Sequence, residues 1–537
     1  MPLSPPAPPS VAVGGSDTPA VPSAPIAITL APAASAFPDP TPAVGGENHA
    51  VKTDRNDQGG PYPVSSTRGF IEFGVALLLT IILIKGFAAE AYIVPTGSMA
   101  PTLLGFHEEV VCPDCGAVFA VGLGDSNQPV SPLCLNCGRR DFPNDLEHRR
   151  AQLRGGDRLL VHKFLFNLRE PRRWEVAVFD CPDDPGQAYV KRIVGLPGET
   201  VQLHNGDVFI NGAIARKSLE EQRGMRLIVY DHDHPPPDIQ EFPRFLARRG
   251  TEGHPAPSGW EMAGPRIMHR PRPVWDDQPD WLFYRHRDPR RGVLGPIRDE
   301  IPYNGWEGGG EHRIHDVGLV ADLQVGSDVK AVMIRLRRAG DTFLATLAVD
   351  GVTPPRLTRN GQPIEIVPGP GLLRSERSAR AAGRTTQRLE ASLFDQRVLI
   401  AVDGQLLFEP FDYDDPQGER RGSSAPIAFG VLGGDLVVDR LRIVRDIYYT
   451  DHLAGTPKLA RAVDQPVRLG PDEFFMLGDN SPVSNDSRFW SRHPFVPRSA
   501  LVGKPFLVHL PSRLVPLKVL GDAPYWIPDP REIRYIR

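Results

Sequence analysis

The sequence predicts a mainly β protein, and three stretches carry that expectation. Residues 199–210 alternate apolar and polar side chains about Asn205-Gly206, a dipeptide favoured in two-residue hairpin turns. Residues 188–194 are rich in β-formers, and strand alternation would send Tyr189, Lys191 and Ile193 to one face. Farther on, residues 331–336, 343–349, 397–402, 426–429 and 436–444 read as evenly spaced strands, two of them running into Asp-Gly turns at 350–351 and 403–404. Short strands at such spacing suggest a β-sandwich.

In chain order, residues 1–67 come first as a Pro/Ala-rich stretch with few large apolar side chains. It cannot bury enough surface to repay its ordering entropy, so a disordered tail is expected. Neither a positive n-region nor a sustained apolar h-region marks it as a cleaved secretory signal. Residues 68–90 read as one transmembrane helix. The uncharged run from Phe73 to Ile84 reaches only about 18 Å. It approaches a ~30 Å hydrocarbon core once Lys85 snorkels and residues 86–89 are included. Lys52, Arg55 and Arg68 precede the apolar run and Glu90 follows it. The positive-inside rule then puts the tail in the cytoplasm and the rest on the outer face of the cytoplasmic membrane, with the bilayer as a partner. A net charge of -4 over 537 residues speaks against a nucleic-acid partner.

Residues 108–152 hold Cys112-x2-Cys115 and Cys134-x2-Cys137, with 18 residues between the pairs and a glycine after each pair. That spacing fits a zinc ribbon, four thiolates around one structural Zn²⁺ with no open position for catalysis. Two disulfides are the rival arrangement outside the cytoplasm. Cys181 reads as a partly buried free thiol.

Two further stretches carry reactive groups. Pro95-Thr96-Gly97-Ser98-Met99-Ala100-Pro101 follows the apolar segment and offers a hydroxyl; Tyr189-Val190-Lys191-Arg192-Ile193-Val194-Gly195 offers an amine. With no histidine near either motif, the amine is the candidate base for the hydroxyl. It can serve only if burial lowers its pKa from about 10.4.

The run YIVPTGSMAPTL resembles the nucleophile box of bacterial type I signal peptidases, serine–lysine proteases of family S26. Gly156–Lys163, Tyr189–Gly195 and Gly478–Arg488 resemble, in order, that family's second, lysine and last boxes. The resemblance implies an all-β catalytic domain split over 91–107, 153–216 and 450–537, which removes signal peptides from exported preproteins without a catalytic cofactor. It implies Ser98 as nucleophile, Lys191 as general base, and an oxyanion hole from the Thr96 hydroxyl and the Ser98 N–H. Ser484 would orient the lysine amine, Asp486 and Arg488 would form a structural ion pair that Arg192 joins, and Val94 and Val190 would wall shallow substrate pockets. The last box departs from the usual family form at Ser481-Pro482-Val483. A serine–lysine protease with another substrate and a non-catalytic scaffold are the alternative functions.

Residues 217–449 interrupt the split domain as a large insert. Its first half is rich in Pro, His, Arg and Asp, and only its second half reads as a sandwich, similar to the concanavalin or laminin-G type. A carbohydrate or protein partner is the expectation for it, and His232, His234, His312 and His315 read as surface residues rather than metal ligands. The insert is expected to be separable from the catalytic sheet that it interrupts.

Overall fold

The computed structural model describes residues 66–83, 89–124, 130–143, 153–239, 241–250, 257–271, 278–306, 309–338, 340–381, 386–415, 425–454, 456, 459–509, 512–516, 524–528 and 533–536. The tail predicted over 1–67 falls almost wholly outside them. A helix occupies Ser66–Leu83. Among the described residues no helix is long and apolar enough to cross a membrane. Residues 84–88 of the predicted span lie outside the description, and its last two, Ala89 and Glu90, open a strand instead of ending the helix.

That strand, Ala89–Ile93, forms one edge of an eight-stranded sheet. The order is Ala89–Ile93, Arg158–His162, Leu501–Val508, Val176–Asp180, Ala188–Gly195, Glu473–Leu477, Val496–Pro497, with Arg534–Tyr535 paired to Leu501–Val508. Strands far apart in the chain are therefore neighbours: Met476 lies opposite Ile193, and Leu477 opposite Arg192. The hairpin expected at 199–210 forms as Thr200–His204 and Asp207–Ile210. Asn205 (φ 51°) and Gly206 (φ 83°) take the left-handed conformations that this turn requires.

The cysteine hairpin, His107–Val111 with Val118–Gly122, lies in a five-stranded sheet with Leu153–Arg154, Ser512–Pro516 and Pro524–Pro528. The insert folds as two sheets of nine and seven strands around one core that includes Leu319, Leu336, Phe343 and Ile400. The sandwich is larger than expected. Leu227–Asp231, Phe245–Arg249, Trp260–Ala263, Arg266–His269 and Asp280–Tyr284, all from the half read as irregular, are among its strands. Proline- and arginine-rich connections break the alternation of these short strands, which hid them.

One other expectation about the insert is corrected. His232 and His315 are buried rather than on the surface. Burial pushes both imidazoles down to about 4, so they stay neutral, and Tyr230 Oη lies 2.8 Å from His232 Nδ1. The insert and the sheet also pack against each other. Leu227, Ile301 and Tyr303 share a hydrophobic cluster with Val194, Val201, Phe475 and Leu477 of the split domain. At the junction, Lys217 Nζ donates to Asp446 at 2.6 Å and to Asp395 at 2.8 Å, all three buried.

Candidate active site

Lys191 stands mid-strand in Ala188–Gly195, flanked by Val176–Asp180 on one side and Glu473–Leu477 on the other. Its side chain is 2 % exposed. Ser98 follows the edge strand, in a turn just beyond Val94, whose N–H donates to Asp157 O. Lys191 Nζ donates to Ser98 Oγ at 2.5 Å, joining groups 93 residues apart. Burial lowers the amine to about 8. The nearby Asp486 carboxylate acts to raise it, but Arg488 acts in the opposite sense. At about 8, roughly a tenth of the amine is neutral at pH 7, against well under a thousandth at the ordinary value of about 10.4, and the neutral form is what a general base needs.

Asp486 and Arg488 form a two-pronged pair, Arg488 Nη2 to Asp486 Oδ2 at 2.8 Å and Nε to Oδ1 at 2.9 Å, both fully buried. Burial works against the carboxylate, yet Arg488 holds Asp486 below its ordinary range. Arg192 does not join that pair. Its Nε donates to Asp479 Oδ1 at 2.7 Å and its Nη2 to Asp479 Oδ2 at 2.5 Å. The reason is alternation: Arg192 follows Lys191 in the strand, so its side chain leaves from the opposite face. Thr102 Oγ1 donates to the same Asp479 at 2.5 Å, tying the nucleophile segment to the last box.

Ser484 is buried beside the site, but its hydroxyl makes no hydrogen bond to Lys191 and is without a partner. It packs against Gly478, where a Cβ would lie 2.1 Å from Ser484 Oγ and 2.5 Å from Ser98 O, so only glycine lets the last box come this close to the nucleophile. Thr96, Val94 and Val190 line, with Ser98 and Lys191, a cleft of about 940 Å³. Val94 is buried and Thr96 exposed.

Two lining residues come from the insert and had no sequence signal beyond a Pro-Tyr-Asn turn. Tyr303 and Asn304 lie in the short helix Pro302–Asn304. Tyr303 Oη donates to Phe106 O at 2.8 Å, and its ring presses so closely on Gly97 that a Cβ there would sit 1.9 Å from Cε1. Asn304 and Asn480 exchange amide hydrogen bonds at 2.7 and 2.8 Å. Asn480 Nδ2 also donates to Gly97 O at 2.9 Å.

The four cysteines converge as their spacing suggests. Sγ of Cys112 and Cys137 are 3.5 Å apart and those of Cys115 and Cys134 3.6 Å, far beyond the ~2.05 Å of a disulfide. All four lie within 4.8 Å of one another, an arrangement that can hold one metal ion. The N–H groups of Gly116 and Gly138 return to Cys112 O and Cys134 O, closing each knuckle. Cys181, also free, is buried.

Residues 145–249 and 395–510 match the family model described as signal peptidase, peptidase S26. Among curated relatives, a probable signal peptidase I-2 of Synechocystis is 33% identical over 93 residues, 16% of this chain and 43% of that protein. Signal peptidase I of Leptolyngbya laminosa is 37% identical over 94 residues, 16% and 40% of the two chains. Signal peptidase I of Pseudomonas aeruginosa is 26% identical over 171 residues, 29% and 43%. The chain thus spans less than half the length of these relatives. Among solved structures, a carbohydrate binding module of Bacillus subtilis covers 38% of this chain and 92% of its own at 11% identity, with a TM-score of 0.21. A Caenorhabditis elegans galectin covers 28% and 89% at 20% identity, with a TM-score of 0.16. Neither likeness bears on what the insert binds.

Proposed function

We propose, from the membership of its split β domain in the S26 signal peptidase family, that this chain cuts signal peptides from exported preproteins. One observation carries the reading: a buried amine, lowered to about 8, donates to the hydroxyl that it would activate. Ser98 Oγ attacks the scissile carbonyl carbon as its proton passes to Lys191 Nζ. The Ser98 N–H and the Thr96 hydroxyl stabilise the oxyanion, a donor of this kind contributing about 3–4 kcal/mol. Collapse of the intermediate breaks the C–N bond, and Lys191 gives its proton to the leaving amine. Water, deprotonated in turn by Lys191, hydrolyses the acyl-enzyme. Ser484 would orient the amine after a change of rotamer. Val94 and Val190 would bound pockets for small side chains at the first and third positions before the cut, an Ala-x-Ala pattern.

The segment 68–90, rather than the helix Ser66–Leu83 alone, would anchor the domain to the outer face of the cytoplasmic membrane, crossing it once with its N-terminus inside. Phe70, Ile71, Phe73 and Leu78 on it are exposed, as lipid-facing side chains would be. The metal at the cysteines would be zinc: a Zn–S bond of about 2.3 Å sets tetrahedral S···S edges near 3.8 Å, close to those present.

The test is cleavage of an exported preprotein. Ser98→Ala is expected to abolish it in a folded protein, and activity within tenfold of the parent chain would refute the assignment. Elemental analysis of the same protein should find one zinc per chain; no zinc, with two disulfides by non-reducing mass spectrometry, would reverse that part.

A further inference from the structure

The insert reaches the reacting centre through one peptide unit. Gly97 O and Ser98 N–H belong to the same planar, trans amide, so they point in opposite directions. Whatever holds Gly97 O behind the cleft fixes where the Ser98 N–H is aimed in front of it. Asn480 Nδ2 holds that oxygen at 2.9 Å, assisted by the Ala100 N–H at 3.0 Å. Asn480 could hold it only with its amide nitrogen turned toward Gly97. The reciprocal bonds with Asn304 match that orientation: with the Asn304 amide as it stands, a flipped Asn480 amide would set oxygen against oxygen at one contact and nitrogen against nitrogen at the other. Asn304 in turn sits on a turn wedged in place by Tyr303, whose ring covers Gly97 and whose hydroxyl is bonded to Phe106 O.

We propose that Asn304, a residue of the insert, is a positioning residue for the oxyanion hole: through Asn480 and Gly97 O it aims the Ser98 N–H at the developing oxyanion. The inference rests on the protease reading above and extends it, because it makes the insert part of the catalytic apparatus. Asn304 lines the cleft, but its amide is bonded to Asn480 and would act through it rather than on the reacting atoms. Its loss would misdirect a donor rather than remove it, so the effect should be smaller than the 10²–10³-fold cost of deleting an oxyanion donor outright.

The experiment compares the full chain with Asn304→Ala and with Asn304→Leu, which keeps the volume should the smaller residue fail to fold. A peptide carrying alanine at the first and third positions before the cut is the substrate. Roughly 10- to 100-fold lower kcat is expected, with KM within about threefold. Affinity for a peptide aldehyde, whose adduct carries the tetrahedral oxygen, should fall by the same factor as kcat, while affinity for the cleaved product peptide stays unchanged. A folded variant with parental kcat overturns the proposal. So does a fall in kcat without a matching loss of aldehyde affinity, and unfolding of both variants would make Asn304 a scaffold residue only. If the parent chain neither cleaves the peptide nor binds the aldehyde, the protease reading itself fails and takes this inference with it.

Discussion

Lys191 and Lys217 are both buried, 2 % and 3 % exposed, yet their surroundings drive them to opposite ends of the lysine range. Burial pulls each amine down. At Lys217 two carboxylates, Asp395 and Asp446, more than reverse that and hold the amine above its ordinary value. At Lys191 the carboxylate that acts most strongly to raise it, Asp486, is already paired with Arg488, and burial takes the amine down to about 8. One lysine is a charged brace at the junction of the insert and the sheet; the other is the base of the proposed reaction. Depth of burial does not separate them, but access to an uncommitted carboxylate does.

The largest expected break of this contrast is at the base. Lys191→Ala should lower preprotein cleavage by at least 10²–10⁴-fold while the thermal midpoint stays close to that of the parent chain. Loss of the fold would instead make Lys191 a structural residue. Next comes the brace. Lys217→Met leaves two buried carboxylates unpaired and should cost about 3–5 kcal/mol in urea unfolding. The kcat per folded molecule should not change. Adding Asp395→Leu and Asp446→Leu should restore most of that stability, and failure to do so would refute the view that the charges, rather than packing, cause the loss.

The pH profile sharpens the comparison at lower cost. Neutral amine is the active form, so kcat/KM should rise with pH through about 8. The same shift has a stability consequence whose sign follows from proton counts. Between about 8 and the unfolded value of 10.5, unfolded Lys191 binds more protons than the folded amine, so its contribution to stability is expected to increase as pH rises. The smallest effect is expected from Asp486→Asn. Removing the carboxylate that raises the amine, while Arg488 still lowers it, should move the activity limb to lower pH. A limb that moves upward would show that the Asp486 charge does not reach Lys191.

Ser98 and Lys191 were legible because each lies in a short, ordered motif and strand alternation already turned Lys191 inward. The hairpin at Asn205-Gly206 was legible for the same local reason. Arg192 was misassigned because three charged residues of the last box, Asp479, Asp486 and Arg488, offered partners, and only the sheet decides which face it leaves from. Tyr303 and Asn304 left no trace, since a three-residue turn has no periodicity and its targets, Phe106, Gly97 and Asn480, lie 176 to 206 residues away. The first five strands of the sandwich were missed because burial patterns such as that of Phe245–Arg249, with one buried residue at its start, show no alternation.

The strand carrying Lys191 closes against Glu473–Leu477, and the buried pair at Asp486 and Arg488 arrives later still in the chain. During synthesis at about 5–20 residues per second, roughly 15–60 s separate the emergence of Lys191 from that of Arg488. Throughout that interval the lysine would lack one wall of its pocket, stay open to water and keep its proton. On the proposed reading, the nascent chain would carry its nucleophile and its base from an early stage without being a protease, and activity would switch on only when the last box docks. A split sheet would, in this sense, be a timer against premature proteolysis.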